Sequence, residues 1–498
     1  MLYLWALLGP IVLTLPLSRW KWSSEAWWTV CVRACEHSGA LLIKLAQWSS
    51  SRPDLFGEQV CSRFSHLQDN TTAHAWRHTE AALTREFGDD WPSRLRIDQD
   101  ALLGSGCIAQ VYKGELLGED GAWKPVAIKV LHPGVRQLIA RDMDLLMGAG
   151  RLLDRVPRLT WLNPSGMLFE FASLLLMQLD LNIEANNLES FRRHFPPESS
   201  AVSFPEPIRP YVTEDILVET FIEGEPFLQW ARRADPPQAT RARICADGVD
   251  AVIKMMFIDN FVHGDLHPGN IFVTPDEKLA FLDAGIVVRY SADEHEHLID
   301  VLTAFIQYDG YTGGKLMAAK SALSGDGAQL RDLHGFCIKI QKMVEMARDE
   351  PSFFDKVGEC ISIICKAACD HRIKMQAGFI SIALSVKVVE GSVLQVDPLC
   401  VVAPRAKAVV VREHMRRKGS RAILGNRSLE TGHIKGSTEE DRSGDDRLIL
   451  EARARVRQAG FQPSLPTPWP RPNSNHNLGP TRRLTRRSER SSFASRVS

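Results

Sequence analysis

The chain has 498 residues, of which 44% are hydrophobic and 24% charged, a composition that supports a sizeable buried core and excludes wholesale disorder. Lysine plus arginine and aspartate plus glutamate are equal at 60 each, so the overall charge gives no reason to expect a nucleic-acid partner. The 10 cysteines include no C-x-x-C pair and no zinc-type spacing, which favours reduced thiols in a reducing compartment.

An apolar run opens the chain over residues 2–18 and is followed by Arg19, Lys21 and several tryptophans. Because a membrane-spanning helix needs about 20 apolar residues, this proline-containing run is slightly short. Three interpretations stay open for residues 1–23: a membrane anchor, which the basic and tryptophan-rich flank favours, a core or amphipathic helix, and a signal peptide. No Arg-rich, acid-poor transit peptide is visible at Met1, so we expect any organelle address to be absent from this sequence.

Residues 24–98 have the apolar spacing of helices and are predicted to form a helical extension. Residues 99–402 are predicted to form the main domain, which opens with a hairpin and a third strand over residues 100–131, because glycine, β-branched and turn signals follow one another there. Further strands are predicted in DILVETF and on both sides of the turn in NIFVTPDEKLAFLD. Helical spacing covers residues 135–195, 240–262 and 291–400.

Residues 403–498 are rich in Arg, Ser, Pro and Asn and carry too little apolar surface to offset the entropy of ordering. We therefore predict a basic, Ser/Pro-rich tail that is largely disordered, with one helical patch around LILEARARVRQ. A solvated tail is the favoured interpretation, and contact of its basic tip with an anionic membrane or a nucleic acid is the alternative.

Several motifs supply, in order, the groups that phosphoryl transfer from ATP requires. That chemistry needs backbone N–H groups over the phosphates, a cation, a carboxylate that orients this cation, Mg²⁺ ligands and a carboxylate near the attacking oxygen. The segment GSGCIAQV is a candidate phosphate-covering loop, because glycines let the backbone approach phosphate closely. An ordinary hairpin turn is the competing interpretation of this loop alone. Its candidate nucleotide-binding residues are Gly104, Ser105, Gly106, Ala109 and Val111.

One lysine and two glutamates complete the predicted nucleotide site. The motif VAIK places Lys129 at the end of a predicted strand, and a glycine loop followed by such a lysine is a stronger signal than either feature alone. Glu184, on the long amphipathic segment that follows, is the candidate partner of Lys129, although a glutamate on a helix is by default a solvated residue. Glu219, on the next predicted strand, is assigned to nucleotide binding.

The segment HGDLHPGN has the H-x-D-x-x-x-x-N spacing of a catalytic loop. Asp265 is predicted to orient or deprotonate the acceptor oxygen, and Asn270 to bind Mg²⁺. Asp283 follows the predicted strand LAFL, where a second Mg²⁺ ligand is required. Turn formation is the alternative explanation for these Asp, Asn and Gly residues, but their fixed order favours the catalytic interpretation. His267 is either a structural hydrogen-bonding residue or a contributor to the metal site.

The motif HGDLHPGN resembles the H-x-D-P-H-P-G-N of the aarF/UbiB atypical kinases more closely than the HRDLxxxN of ordinary protein kinases. Other segments resemble that family too: KLAQ at 44–47 its K-x-G-Q helix, QLDLNIEAN at 178–186 its E-x-D segment, and VEGSVLQVDP at 389–398 its C-terminal helical end. The resemblance spans about residues 25–402. The glycine loop, KLAQ and QLD are similar to those of the mitochondrial aarF-domain-containing kinase 2 group.

This resemblance implies an α+β fold, namely a bilobal protein-kinase-like domain with an N-terminal helical extension and a helical C-lobe. It implies ATP and Mg²⁺ as ligands, a mitochondrial, membrane-associated location, and support of coenzyme Q (ubiquinone) or related lipid metabolism. The expected partners are a membrane lipid surface, coenzyme Q synthesis proteins and a small-molecule or lipid substrate, with no nucleic acid. In relatives the K-x-G-Q helix packs across the active site, which implies a regulatory role for Lys44, Gln47, Gln178 and Asp180.

Several residues depart from the family pattern. The family's Ala-rich loop is GSGCIAQV here, and the glycine of K-x-G-Q is Ala46. The glutamate of E-x-D is Gln178, whose neutral amide does not replace a carboxylate beside a lysine or Mg²⁺. Gly264 replaces the arginine of HRD, and no A-P-E motif follows Asp283, so ordinary protein Ser/Thr kinase activity is disfavoured.

Three functions compete on these observations. The favoured one is an ATP-dependent enzyme, either an ATPase or a kinase for a small molecule or lipid. The second is a non-catalytic pseudokinase that binds nucleotide and scaffolds a membrane lipid-synthesis complex, and the third is a membrane-anchored adaptor without a nucleotide site. The presence of Lys129, Asp265, Asn270 and Asp283 favours the enzyme, whereas Gln178 is compatible with the scaffold.

Overall fold

The computed structural model describes most of the chain between residues 21 and 430. Predictions for residues 1–20 and 431–498, which include the apolar run and the basic tip, and for His267 lie outside the described residues. The described ranges are 21–36, 39–64, 73–157, 162–266, 268–319, 332–350, 356–400 and 402–430.

The N-terminal part combines helices with one antiparallel sheet. Before the sheet, the described residues form α1 (Lys21–Glu36), α2 (Ala40–Ser50), α3 (Pro53–Phe64) and α4 (Trp76–Phe87). The sheet has the order β1-β2-β3-β6-β5 and consists of β1 (Leu95–Ser105), β2 (Ala109–Leu117), β3 (Trp123–Leu131), β5 (Pro207–Val212) and β6 (Ile216–Thr220). Between β3 and β5 the chain forms α5 (Val135–Leu153), α6 (Pro164–Met177), α7 (Leu181–His194) and β4 (Val202–Ser203).

The C-terminal part is mainly helical. Its helices are α8 (Phe227–Ala231), α9 (Gln238–Phe257), α10 (Ala292–Ile306), α11 (Gly310–Ala319), α12 (Leu333–Asp349), α13 (Val357–Asp370), α14 (Ala377–Val396) and α15 (Val402–Glu430). A small sheet of order β4-β10-β9-β7 contains β7 (Glu225–Pro226), β9 (Ile271–Val273) and β10 (Leu279–Phe281), and β8 (Val262–His263) pairs with β11 (Val287–Val288). This architecture confirms the predicted α+β, bilobal fold with N-terminal helices and a helical C-lobe.

The alternation of side chains along β3 explains where Lys129 points. Val126, Ile128 and Val130 are fully buried against the apolar side of the sheet, where α4 also packs. Successive side chains of a strand face opposite sides, so Ala127 and Lys129 project from the other face. Lys129 pairs with Val111 of β2 and Leu217 of β6, which places it in the middle of the sheet.

Arg52 and Asp54, at the start of α3, attach the N-terminal helices to the C-lobe. Their side chains are 2% and 0% exposed, and the guanidinium donates to both carboxylate oxygens, at 2.9 and 2.8 Å. Arg52 Nη2 also donates to the carbonyl oxygen of Met375, just before α14, at 3.2 Å. Because buried charges are tolerated only when they are paired and hydrogen-bonded, this contact fixes α3 against the C-lobe.

Two elements extend across the positions at which the main domain is predicted to begin and end. Strand β1 begins at Leu95, before the expected boundary at residue 99. The segment expected to begin a disordered tail at residue 403 instead belongs to α15, in which Val410 is 2% exposed. Arg417, near the middle of α15, hydrogen-bonds to His295 Nδ1 of α10 at 2.8 Å. The many basic residues of this segment lower its average hydropathy, so the few apolar residues that pack against the C-lobe do not stand out in the sequence.

Membrane-spanning potential was expected in the apolar run, which lies outside the described residues. Among the helices that the structure describes, none alone has the length and hydropathy to cross a bilayer. Helices α6 and α7 meet these criteria only as a pair, and they are bent by 79° relative to each other.

We expect Asp54→Ala to lower the free energy of unfolding by at least about 1.5–3 kcal/mol, because the buried guanidinium of Arg52 loses both of its hydrogen bonds to this carboxylate and keeps only the more distant Glu170, at 3.5 Å, as a carboxylate partner. Denaturant unfolding of the full chain measures this. Asp90→Ala, which removes the 73% exposed partner of Arg94, is the matched control and should change stability by less than about 1 kcal/mol. Equal effects of the two substitutions would contradict the anchoring role.

Candidate functional site

A cleft of about 640 Å³ separates the five-stranded sheet from the loops of the C-lobe. Its walls bring together segments that are distant in the chain, from the glycine loop to the loop after β10. The predicted site residues that line it are Gly104, Ser105, Gly106, Ala109, Val111, Lys129, Glu184, Glu219, Asp265, Asn270 and Asp283, together with Lys44 and Gln178. The motifs found in the sequence therefore converge on one cavity.

The ammonium of Lys129 lies between two carboxylates. Its Nζ is 2.7 and 2.8 Å from the oxygens of Glu184 and 3.1 Å from Asp283 Oδ2. The side chain of Glu184 is 6% exposed, that of Lys129 17% and that of Asp283 40%. Glu184 therefore forms the buried side of this arrangement, and Asp283 faces the open cleft.

The position of Glu184 follows from the local sequence of α7. The carboxylate of Asp180 accepts a hydrogen bond from the backbone N–H of Asn182 at 3.1 Å and so caps the helix. Leu181, Ala185 and Leu188 are buried, and Glu184 lies on the same stripe because residues three and four apart share a helix face. A carboxylate at such a position is stabilised only by a partner, and Lys129 supplies it.

Electrostatic interactions keep Lys129 and Asp283 charged. Burial alone would lower the pKa of Lys129, but the charges of Asp283 and Glu184 raise it above its ordinary value. Burial also acts to raise the pKa of Asp283, yet Lys129 and the backbone N–H of Gly285 lower it well below its usual range. For Glu184, burial dominates and raises the pKa to about 7, against the opposing effect of Lys129.

Asp283 is held by its neighbours as well as by Lys129. Its Oδ1 accepts a hydrogen bond from the backbone N–H of Gly285 at 2.8 Å. Its carbonyl oxygen accepts from Nε2 of the buried His263, and the next carbonyl, that of Ala284, accepts from Asn187 Nδ2 at 2.9 Å. The loop after β10 is thus fixed from both the catalytic loop and α7.

The catalytic loop is organised around the same histidine. Since Nε2 of His263 donates to a carbonyl, its Nδ1 is an acceptor, and it accepts from the backbone N–H of Asp265 at 3.3 Å. Asn270 Nδ2 donates to the carbonyl oxygen of Asp265 at 3.2 Å and closes the loop. His263, which sequence reasoning treated only as part of the motif, therefore links Asp265 to Asp283.

Packing explains the glycine that replaces the arginine of ordinary kinases. A Cβ atom at Gly264 would lie 2.7 Å from Ile286 Cγ2 and 3.3 Å from the carbonyl oxygen of Ile286. Such distances are shorter than van der Waals contacts, so the pairing of β8 with β11 leaves no room for a side chain at this position.

The deep end of the cleft is apolar and contains one unpaired acid. Ala127 and Val111 come from the sheet, whereas Phe272 and Leu282 come from the C-lobe, so a flat aromatic group would lie between them. Oε2 of Glu219 is buried there and has no hydrogen-bond partner among the described atoms. Burial and the nearby charge of Glu184 raise the pKa of Glu219 well above its usual value, so a neutral Glu219 can donate a hydrogen bond to a ligand.

The glycine loop is supported by a chain of hydrogen bonds that begins before α4. His132 Nε2 donates to the carbonyl oxygen of Gly106 at 2.8 Å, which leaves Nδ1 of His132 as an acceptor for His74 Nδ1 at 2.7 Å. His74 Nε2 then accepts from Thr79 Oγ1 at 2.8 Å. Burial and the neighbouring His132 lower the pKa of His74 to about 4, so the imidazole of His74 is neutral at physiological pH.

The residues predicted to have a regulatory role occupy different places. Lys44, on α2, and Gln178, after α6, line the cleft. Asp180 caps α7, and Gln47 is not among the described residues that line the cleft. Ala46 is 5% exposed, so its methyl group fills space beneath α2. The regulatory role of these residues stays a prediction.

Comparison with known proteins agrees with this geometry. The ABC1 atypical kinase-like domain is recognised over residues 66–313, which contain the glycine loop, Lys129, Glu184 and the two acidic loops. The chain belongs to the ABC1, or aarF/UbiB, family of atypical kinases. The family assignment made from the HGDLHPGN motif is thereby confirmed.

The similarity to relatives within the family extends beyond residues 66–313, the range of the kinase-like domain. A probable serine/threonine-protein kinase of Dictyostelium discoideum is 27% identical over 79% of this chain and 66% of its own length. A mitochondrial ABC1 family protein of Saccharomyces cerevisiae is 28% identical, over 75% of this chain and 66% of its own length. The probable protein kinase UbiB of Klebsiella pneumoniae is 30% identical, over 61% and 57%. The chain thus spans about two thirds or less of the length of these relatives.

Among solved structures, the Rv3197–erythromycin complex of Mycobacterium tuberculosis matches with a TM-score of 0.47 and 19% identity, over 76% of this chain and 93% of that chain. A likeness of this strength carries no conclusion about ligand or activity.

We expect His132→Ala to weaken binding of Mg·ATP by about three- to tenfold, because one net hydrogen bond contributes about 0.5–1.5 kcal/mol and the Gly106 carbonyl loses its donor. Isothermal titration calorimetry measures the affinity. The control is His334→Ala, at an exposed histidine of α12 whose partner is Tyr311 of α11. This substitution should leave the affinity unchanged. An unchanged affinity in His132→Ala would exclude a role of this network in shaping the glycine loop.

Proposed function

We propose that the chain binds ATP with Mg²⁺ and transfers the γ-phosphoryl group to a small-molecule or lipid acceptor, or to water. The observation that carries this proposal is the position of Lys129 between Glu184 and Asp283, in a cleft that also contains Asp265 and Asn270. This set of groups meets the requirements of phosphoryl transfer, which depends on positioning and charge neutralisation.

Each residue has a task in this proposal. Lys129, oriented by Glu184, offers its ammonium to the α- and β-phosphates, and the glycine loop offers backbone N–H groups. Asp265 accepts the proton of the attacking hydroxyl or orients it. The apolar walls around Phe272 and Leu282 hold the base, and Glu219 is available to donate a hydrogen bond to it.

Asn270 and Asp283 are the residues that would hold Mg²⁺. The described residues contain no group of three or more His, Cys, Asp or Glu arranged around a metal. That agrees with the chemistry of Mg²⁺, which is commonly bound by one or two protein oxygens together with waters and substrate phosphates. When bound, the ion neutralises phosphate charge.

The acceptor is proposed to be smaller than a protein. Lys44 of α2 lines the cleft, so the helix of the K-x-G-Q-like motif lies beside the space that an acceptor would share with the nucleotide. Because Gly264 stands where ordinary protein kinases have an arginine, this position has no basic side chain to bind a phosphorylated activation segment. Ordinary protein Ser/Thr kinase activity is therefore the less favoured alternative.

We further propose a mitochondrial, membrane-associated setting and support of coenzyme Q or related lipid metabolism. Relatives from Saccharomyces cerevisiae and Schizosaccharomyces pombe are described as mitochondrial. The link to coenzyme Q rests on the resemblance to the UbiB group, and membrane lipid and coenzyme Q synthesis proteins are the partners it implies.

One observation favours the pseudokinase scaffold as a second candidate. Asp283, the proposed Mg²⁺ ligand, is ion-paired with Lys129 at 3.1 Å, so the two side chains neutralise part of each other's charge. A protein that binds nucleotide as a switch, without turnover, would gain from an ion pair that competes with the nucleotide and keeps its binding reversible.

Steady-state ATP turnover by the full chain, with and without liposomes, tests the proposal. We expect Asp283→Asn to lower turnover by about 100-fold or more, because the carboxylate that would hold the charge-neutralising Mg²⁺ is lost. Asp276→Asn, at an exposed aspartate in the turn between β9 and β10, is the control and should retain turnover. Nucleotide binding without turnover under every condition would favour the scaffold, and absence of binding would leave only the adaptor.

A further inference from the structure

A second cavity, of about 440 Å³, lies inside the helical C-lobe and shares no lining residue with the nucleotide cleft. Its walls come from α9, α10, α12, α13, α14 and α15. Val252, Met256, Leu298, Met343 and Ile382 are typical wall residues, and each is less than 10% exposed. Among the described residues that line the cavity, Lys407 is the only charged one.

The size and the lining of this cavity indicate an apolar ligand. Protein interiors are close-packed and contain few spaces larger than a water molecule. Apolar cavities stay dry and take up apolar molecules, because water finds no hydrogen-bond partners in them. A volume of about 440 Å³ lies within the range of roughly 300–1,000 Å³ that is usual for ligand pockets.

The solvent side of the cavity has a different character. Tyr308, Pro404 and Lys407 line the cavity and are exposed, so they mark its mouth. On α15, which carries Pro404 and Lys407, Arg405 is paired with Asp250 at 2.7 Å and Arg417 with Glu413 at 2.8 Å.

Lys407 differs from these neighbours. Within the part of the chain that the structure describes, no carboxylate lies within 4.0 Å of its ammonium. A cation of this kind beside an apolar cavity favours a ligand with an apolar chain and an anionic head.

We propose that this cavity binds the apolar chain of a lipid-like amphiphile, with the anionic head group of the ligand next to Lys407. This site is separate from the nucleotide cleft, so it does not depend on the proposed phosphoryl transfer. The competing occupant is a segment of this chain, in particular Phe353 and Phe354, which precede the wall residue Val357 in the sequence and lie outside the described residues.

Fluorescence titration of the full-length, nucleotide-free protein with cis-parinaric acid tests the proposal. We expect a saturable increase in fluorescence with one site per chain. Ala383→Trp and Ala406→Trp place an indole in the cavity from two different helices and should each weaken binding by at least about tenfold. Ala406 is only partly buried, so its variant tests the site even where Ala383→Trp impairs folding.

The head group is tested with the methyl ester of the same fatty acid. Lys407→Glu should weaken binding of the acid by at least about threefold and leave binding of the uncharged ester unchanged. Lys339→Glu, an identical charge change at an exposed position of α12 outside the cavity, is the control and should affect neither ligand.

Three results would overturn the proposal. The first is the absence of saturable binding to the folded wild-type chain. The second is binding that both tryptophan substitutions leave unchanged. The third is binding that occurs only after Phe353→Ser and Phe354→Ser are combined, since this would show that the chain itself occupies the cavity.

Discussion

A buried ammonium held by a buried carboxylate is the interaction on which the structure of this site depends. Lys129 reaches it because the alternation of β3 turns Val126, Ile128 and Val130 into the core and leaves lysine on the cleft side. Glu184 reaches it because α7 is capped at Asp180 and presents the glutamate on its buried stripe. A buried charge is stable only beside a partner, so this pair holds the sheet and the helix together at the cleft.

The N-terminal helices are part of this arrangement. Arg52 and Asp54 attach them to the C-lobe, and His74 connects the segment before α4 to the carbonyl of Gly106 through His132. The extension therefore contacts both lobes, while α2 brings Lys44 to the cleft. A movement of these helices would therefore displace groups at the glycine loop and at the C-lobe together.

Much of the site was predictable from local motifs. The glycine loop, VAIK and HGDLHPGN are short segments whose residue types indicate a loop, a strand end and a catalytic loop without knowledge of distant contacts. The parts that sequence reasoning missed depend on contacts between distant segments. His74 and His132 are 58 residues apart in the sequence, and Arg52 and Met375 are 323 apart, so no local pattern predicts either contact. The packed start of α15 was hidden by its basic residues, and the C-lobe cavity was invisible because apolar residues have the same spacing whether they meet or enclose a space.

The most direct test of the central interaction is the affinity of the full chain for Mg·ATP, measured by calorimetry in Glu184→Gln and in Glu189→Gln. Glu189 lies on the same helix, and its side chain is 38% exposed. At pH 8, above the pKa of about 7 of Glu184, loss of this carboxylate should weaken affinity by about ten- to hundredfold, because a charge-assisted hydrogen bond contributes about 1.5–3 kcal/mol, whereas Glu189→Gln should bind as the wild type does. Equal affinity in all three proteins would contradict the account.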